Sequence, residues 1–380
     1  MFKFGRTGQL LGLALICVGV VVPSGCNRGN SQSAPAPDAA SSSSASDTSG
    51  TMAANAPGQG VVIGWSQRGL SGSDWWKTLI AGGQYEAKKM GAKIYVLDAN
   101  RDTTTQNQDV QTLITRNVDV VILNPNDPLG VAQSVNALKK NNTPLVVVNS
   151  NLAPSLVSST FCYVAENQVA TGAKAGKVIA TQAVARYGPN ASVKLVAIGG
   201  YPGDVVTELR FKGFMQGYNS VMQKYPGFKT TTLPIRYGHW LPDQALSPIR
   251  DVATANPDLK IIYSESDVMQ AGIQQALKQA GLWNKGVLEG TYDGGMNSVK
   301  EMVNDSKGPL QADASNQPWD QGVAAVKMAI AAHNKDTTAC PTKTNYVNTT
   351  VVTPADAKQY YKPVDTYVRA APGELTLKHG

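Results

Sequence analysis

From residue 61 onward, short unbroken apolar runs alternate with longer stretches of helical spacing. Residues 61–65 read Val-Val-Ile-Gly-Trp, and similar runs occupy 93–97, 118–123 and 145–148. Continuous Val/Ile/Leu segments suit strands of a parallel sheet covered on both sides, because neither face is left for water. Residues 75–90 carry apolar positions at helical spacing and stop at Gly91, a residue suited to the left-handed turn that ends a helix. The rhythm restarts after about residue 168. Strands are predicted at 193–198, 260–263 and 286–288, and helices near 205–225, 243–255, 267–281 and 318–333. This is the pattern of an α/β protein with two similar parallel-sheet lobes.

The region before residue 60 has a different texture. Lys3 and Arg6 precede an apolar run at 10–22, too short to span a bilayer comfortably and fitting the core of an export signal. Ser24-Gly25-Cys26 follows at once. Small residues before a cysteine resemble the bacterial lipobox, whose cleavage leaves a lipid-modified cysteine first; Pro23 stands where such signals usually have Leu. The expectation is a lipoprotein signal peptide at 1–25 with Cys26 as the lipidated residue. Residues 27–58 are rich in Ser, Ala, Pro and Gly, with a Ser run at 41–44 and no apolar period. Such a segment cannot pack a core, so 26–59 is expected to be a flexible tether.

Composition narrows the picture. The protein has 380 residues, 42% hydrophobic and 16% charged, enough to bury a large core. A mini-protein, a coiled coil and a polytopic membrane protein are excluded. The formal charge of +7 is scattered without a dense basic run, which speaks against nucleic acid as a partner. Four Cys and three His form no CxxC pair and no cluster, so no metal site is expected. Outside the export region only Cys162 and Cys340 remain. In an oxidising compartment they are candidates for one disulfide, and their separation in sequence neither supports nor excludes it.

Open parallel sheets bind ligands beyond the carboxyl ends of their strands. The segments there share a chemistry. Ser73, Trp75 and Trp76 follow the first strand, Asn124 the third and Asn149 the fourth. In the second half, Gly199 to Asp204 follow a strand, with Arg210 on the helix beyond and Trp240 in a connecting loop. Ser266, Asp293 and Asn316 each come just after a strand. Amides, hydroxyls and carboxylates offer paired donors and acceptors, and aromatic faces cover the C–H faces of a sugar ring. Any single Asn or Asp here also reads as a helix N-cap, Asp127 and Asp267 among them, and either Trp ring alone reads as core. The recurrence at strand ends in both halves favours a ligand site for a neutral polyol.

Residues 60 to about 352 resemble the type I periplasmic sugar-binding proteins of ABC importers, the ribose-binding kind above all. Ser73, Trp75 and Trp76 fall where that family usually has Asn and two Phe. Asn124 matches its Asn-Pro, Arg210 to Phe214 its Arg-x-x-Gly-Phe, and Tyr292-Asp293-Gly294 its aromatic-Asp-Gly. Trp240 falls on its aromatic, Ser266-Asp267 on its Asn-Asp, and Asn316 on its Gln before Pro. Asn149-Ser150 replace the frequent Asp-Arg pair, which weighs against ribose itself. The resemblance implies two lobes joined by three crossovers near 165–168, 316–319 and 346–352. The N-terminal lobe is then 60–166 plus 318–346, and the C-terminal lobe 167–317 plus 347–380. It implies no cofactor, a small neutral sugar or sugar alcohol as ligand, an ABC permease as partner, and a monomer on the periplasmic side held by its lipid anchor. The binding residues implied are Ser73, Trp75, Trp76, Asn124, Asn149, Arg210, Trp240, Ser266, Asp293 and Asn316.

Other classes fit less well. No GxSxG elbow, HExxH or P-loop is present, and His239, His333 and His379 have no obvious acid–base partner. A DNA-binding regulator on this fold carries a helix-turn-helix where this protein has an export signal. A sensor subunit passing a sugar signal to a membrane receptor remains the alternative to transport. The polar tail after 352 has no assigned role beyond packing on a lobe or trailing free.

Overall fold

The computed structural model describes residues 56–71 and 73–369 and a short strand at 378–379; the export signal, Cys26 and most of the tether lie outside the described residues. Residues 56–59, which composition assigns to the tether, belong to the folded part: Gly58 N–H donates to the Met90 carbonyl at 2.9 Å.

The first lobe begins with β1 (Val62–Gln67), α1 (Asp74–Met90), β2 (Lys93–Asp98), α2 (Thr103–Thr115), β3 (Val120–Leu123), α3 (Ala132–Lys140), β4 (Leu145–Val148) and β5 (Cys162–Glu166). The second lobe follows with α4 (Gln168–Tyr187), β6 (Ser192–Gly199), α5 (Val205–Met222), β7 (Lys229–Thr232), β8 (Arg236–Tyr237), α6 (Pro242–Ala255), β9 (Leu259–Ser264), α7 (Gln270–Gln279), β10 (Leu288–Asp293), α8 (Met296–Asn304) and β11 (Leu310–Ser315). Next, α9 (Pro318–His333) and β12 (Thr344–Val347) return to the first lobe. β13 (Val351–Val352) and α10 (Ala357–Tyr360) join the second, and β14 (Lys378–His379) ends on the first sheet. The backbone thus passes from lobe to lobe between Glu166 and Gln168, Ser315 and Pro318, and Val347 and Val351, and the tail returns to the first sheet through β14.

The first sheet runs β14-β12-β5-β4-β3-β1-β2 and the second β13-β11-β10-β9-β6-β7, with β8 beside β6; only β13 and β14 are antiparallel to their neighbours. Register explains the apolar runs. Trp65 pairs with Ile122 and Ile122 with Val146. These side chains enter the core under α1 and α9, while Val121, Leu123, Leu145 and Val147 enter the opposite core. Both faces are covered, so both alternate sets must be apolar. In the second lobe α4 and α5 touch through glycines: a Cβ at Gly176 would lie 2.1 Å from the Phe214 carbonyl oxygen.

Three differences from the sequence pattern stand out. β10 starts at Leu288, two residues later than the predicted onset, because Gly286 at φ 73° makes a turn first. β5 went unpredicted since Cys, Tyr and Glu break its apolar run. The tail does not stay with the second lobe. Val368 packs with Val299 and Val352 there, but Tyr367 enters the first-lobe core and β14 pairs with β12. Cys162 and Cys340 are joined by a disulfide within the first lobe. No described helix is long and apolar enough to cross a membrane.

Candidate functional site

In-register parallel strands bring their carboxyl ends to one edge of each sheet, and the two edges face each other. The cleft between them is lined by Arg68, Ser73, Trp75, Trp76 and Asn149 from the first lobe and by Asp204, Val206, Arg210, Trp240, Ser266, Val268 and Asp293 from the second. Eight of the ten residues inferred from sequence are in that wall. The other two stand one hydrogen bond behind it. Asn124 is fully buried; its Nδ2 donates to Gln67 Oε1 at 3.3 Å, and its Oδ1 accepts from Asn149 Nδ2 at 3.4 Å. Asn316 Nδ2 donates to Asp293 Oδ1 at 3.0 Å. Both orient the residue in front of them.

The aromatic walls are built differently on each side. Ser73 caps α1, its Oγ accepting from Trp76 N–H at 3.4 Å, so the helix start presents Trp75 and Trp76 together. Both rings are nearly buried, serving core and cleft at once. The Arg101 guanidinium covers the Trp76 ring at 4.8 Å from its centroid. Across the cleft, Trp240 rests against Gly200, where a Cβ would fall 1.9 Å from its ring. His239 beside it stacks on Tyr201, ring centroids 4.8 Å apart.

Three wall residues hold left-handed backbone conformations: Asn149 at φ 64°, Trp240 at φ 59° and Asp293 at φ 106°. Non-glycine residues persist there only where the surroundings over-determine them, a feature that concentrates at binding sites. For Asp293 the surroundings are visible. Gly294 N–H donates to Asp313 Oδ1 at 3.0 Å, and Gly295 N–H donates to Asp267 Oδ2. Asp267 is therefore not the cap that its position suggested; Ser266 caps that turn, and Asp267 reaches across to fix the Asp293 loop.

Arg210 is the electrostatic centre. Nη1 lies 3.0 Å from Asp293 Oδ1 and donates to the Glu265 carbonyl at 2.5 Å; the guanidinium sits 4.1 Å from the Tyr292 ring centroid. Burial works against its charge, but Asp293, Tyr292 and Glu166 outweigh that and hold its pKa above the usual value. Behind it, burial lifts the Glu166 carboxyl to about 7 even though Arg210 opposes the shift. Burial likewise pushes Glu265 well up. The Arg210 guanidinium thus sits in a buried ion pair with Asp293. No group of acids, His or Cys suited to a metal occurs among the described residues.

Arg68, Asp204, Val206 and Val268 were missed from sequence. Arg68 directly follows β1, and the strand-end rule that picked Asn124 reaches it as well; Asp204 lies in a strand-end segment, read there without a role.

Comparisons with known proteins agree with this architecture. Residues 63–337 match the family model described as periplasmic binding protein domain. The ribose import binding protein of Escherichia coli is 26% identical over 250 residues, 65% of this protein and 77% of that one. The xylitol-binding protein of Mycolicibacterium smegmatis is 29% identical over 218 residues, 56% of this protein and 58% of that one. A solved ABC transporter solute-binding protein from Mycobacterium smegmatis, with bound glycerol, superposes with a TM-score of 0.71 at 26% identity, covering 82% of this protein and 99% of the other. With the family model covering most of the folded part and the two-lobed architecture in agreement, the protein belongs to the periplasmic binding protein domain family, type I in fold, and is a solute-binding protein, not an enzyme.

Proposed function

We propose that this protein captures a small neutral sugar or sugar alcohol between its two lobes and hands it to an ABC permease. The observation that carries the reading is the composition of the cleft: tryptophan faces from both lobes around a compensated Arg210–Asp293 pair. Flat apolar faces cover the C–H groups of a sugar ring or an open polyol. Paired charges of opposite sign strengthen hydrogen bonds to hydroxyls without favouring a charged ligand. The family works on the periplasmic side of the membrane, and relatives are named for ribose and for xylitol. The residues that contact the ligand are Ser73, Trp75, Trp76, Asn149, Arg210, Trp240, Ser266 and Asp293, with Asn124 and Asn316 behind them. A single copy suffices, because one polypeptide supplies both walls. Cys26 carries the lipid anchor and the Ser/Ala/Pro-rich tether gives the lobes reach.

The test is a melting-temperature screen of the full-length protein in detergent against pentoses, hexoses and their alcohols. A ligand at one hundred times its Kd adds about 2.7 kcal/mol of stability. A shift with one of these, and none with amino acids, is the expected result; no shift with any polyol overturns the reading. Mass spectrometry of the mature N-terminus tests the anchor: a diacylglyceryl mass on Cys26 is expected, and its absence with Cys26→Ser secreted identically to wild type sinks it.

A further inference from the structure

Arg68 and Asp204 face each other across the cleft, one from each lobe, and among the described residues neither is fully satisfied. Arg68 is only 7% exposed, yet among the described residues its guanidinium makes no hydrogen bond or ion pair, and its Nε is buried without a partner. The Trp76 ring lies beside it, its centroid 5.7 Å from Cζ. Asp204 spends Oδ1 on the Val206 N–H at 3.0 Å, capping α5, and leaves Oδ2 buried with nothing among the described residues to accept from. The two charges feel each other but do not pair. Buried polar groups left unsatisfied are rare and call for an explanation, and a buried charge is normally paired.

We propose that Arg68 and Asp204 are ligand-gripping residues that share one hydroxyl of the cargo across the cleft, Arg68 donating to its oxygen and Asp204 accepting its proton. A hydroxyl is the group that does both at one atom. A carboxylate or phosphate would suit Arg68 but meet Asp204 as a like charge. An ammonium would suit Asp204 and meet Arg68. With Arg210 already compensated by Asp293, this second pair makes the cleft selective for uncharged polyols and ties closure of the lobes to the presence of a hydroxyl between them. The inference rests on the polyol reading above and assigns to it two residues and a reason for rejecting acids.

The experiment uses isothermal titration of the full-length protein with xylitol, ribitol, D-xylose and D-ribose, and with the acid D-xylonate, on wild type, Arg68→Met, Asp204→Asn and the double variant. Asn caps helices as well as Asp does, so Asp204→Asn keeps α5 intact, and a melting curve on each variant checks folding. The expected result is a loss of tenfold or more in affinity for the bound polyol in each single variant. The double variant should lose less than the product of the two, because one hydroxyl serves both. Wild type should not bind xylonate. Less than tenfold loss in either single variant, or xylonate binding as tightly as the polyol, overturns the inference while leaving the polyol reading in place. Wild type that binds none of these four and no hexose or hexitol overturns both.

Discussion

Asp293 Oδ1 holds Arg210 Nη1 at 3.0 Å in a buried ion pair and also accepts from Asn316 at 3.0 Å, while its Oδ2 accepts from the Ser266 hydroxyl at 2.6 Å and keeps a lone pair for a ligand. Asn316 thus shares the oxygen that faces Arg210, and Ser266 holds the other. Removing one partner of a buried pair leaves an uncompensated charge and costs about 3–5 kcal/mol. Asp293→Ala should lower the unfolding free energy by about that amount and abolish polyol binding. Asp293→Asn should fold better than Asp293→Ala, yet bind at least tenfold more weakly than wild type. Urea titration and calorimetry read the two effects separately, and an Asp293→Ala protein with wild-type affinity would remove this pair from the site.

Gly200 makes room for Trp240. An added Cβ would sit 1.9 Å from the tryptophan ring, inside any permitted contact. Trp240 is held at φ 59°, so it cannot slide aside without leaving its left-handed conformation. Gly200→Ala should therefore displace the second-lobe aromatic wall. The expected result is loss of polyol binding with a melting temperature lowered by only a few degrees, the ring lying at the lobe's rim. Quenching of tryptophan fluorescence by the ligand should shrink in the same variant. Unaltered affinity would show that Trp240 is not a contact.

Cys162 and Cys340 are 178 residues apart in sequence, and their disulfide closes a loop that contains most of the second lobe. Cross-links of that span constrain the unfolded state by about 5 kcal/mol in the chain-entropy model, usually less in practice. The bridge joins the start of β5 to the segment before β12, away from the carboxyl-end cleft. A Cys162→Ala, Cys340→Ala double variant should lose about 2–5 kcal/mol in urea unfolding while binding a polyol as wild type does. Weakened binding in a folded variant would show that the bridge also sets the cleft.

The fold was legible because burial on both sheet faces forces both alternate sets of side chains to be apolar, which produces runs such as 145–148. It was not legible where a strand carries other residues, as in Cys162–Glu166. The site was legible at the level of strand ends but not of side-chain direction. Asn124 and Asn149 look equivalent in sequence. Asn149, at φ 64°, lines the cleft, while Asn124 turns back to Gln67. That choice is made by neighbours distant in sequence. Arg68 was within reach of the strand-end rule but passed over, because arginine after a strand ordinarily reads as solvated, whereas here it is buried beside Trp76.

Glu166 lies at the first crossover, where it accepts from Tyr292 Oη at 3.3 Å and from Gln321 Nε2 at 3.1 Å, with Arg210 at 4.0 Å. Burial raises its pKa from 4.5 to about 7, against the pull of Arg210 and with Asp293 adding to the rise. The sign of the pH effect follows by linkage. Between pH 4.5 and 7 the folded protein keeps this proton and the unfolded state has released it. Stability from this group is therefore full below pH 4.5, falls as pH rises to 7, and is level above. The fall corresponds to roughly 3 kcal/mol at about 1.36 kcal/mol per pKa unit. Glu265, Asp267, Glu289 and Asp313 are also raised by burial, so the wild-type curve alone does not isolate Glu166. The difference between Glu166→Gln and wild type does, because Gln stays neutral throughout. Urea unfolding at half-unit steps from about pH 4.5 to about pH 8 should show the variant gaining on wild type by about 2–3 kcal/mol across that range. Parallel curves would mean that Arg210 keeps Glu166 ionised at every pH, making it a second anion of the Arg210 pair.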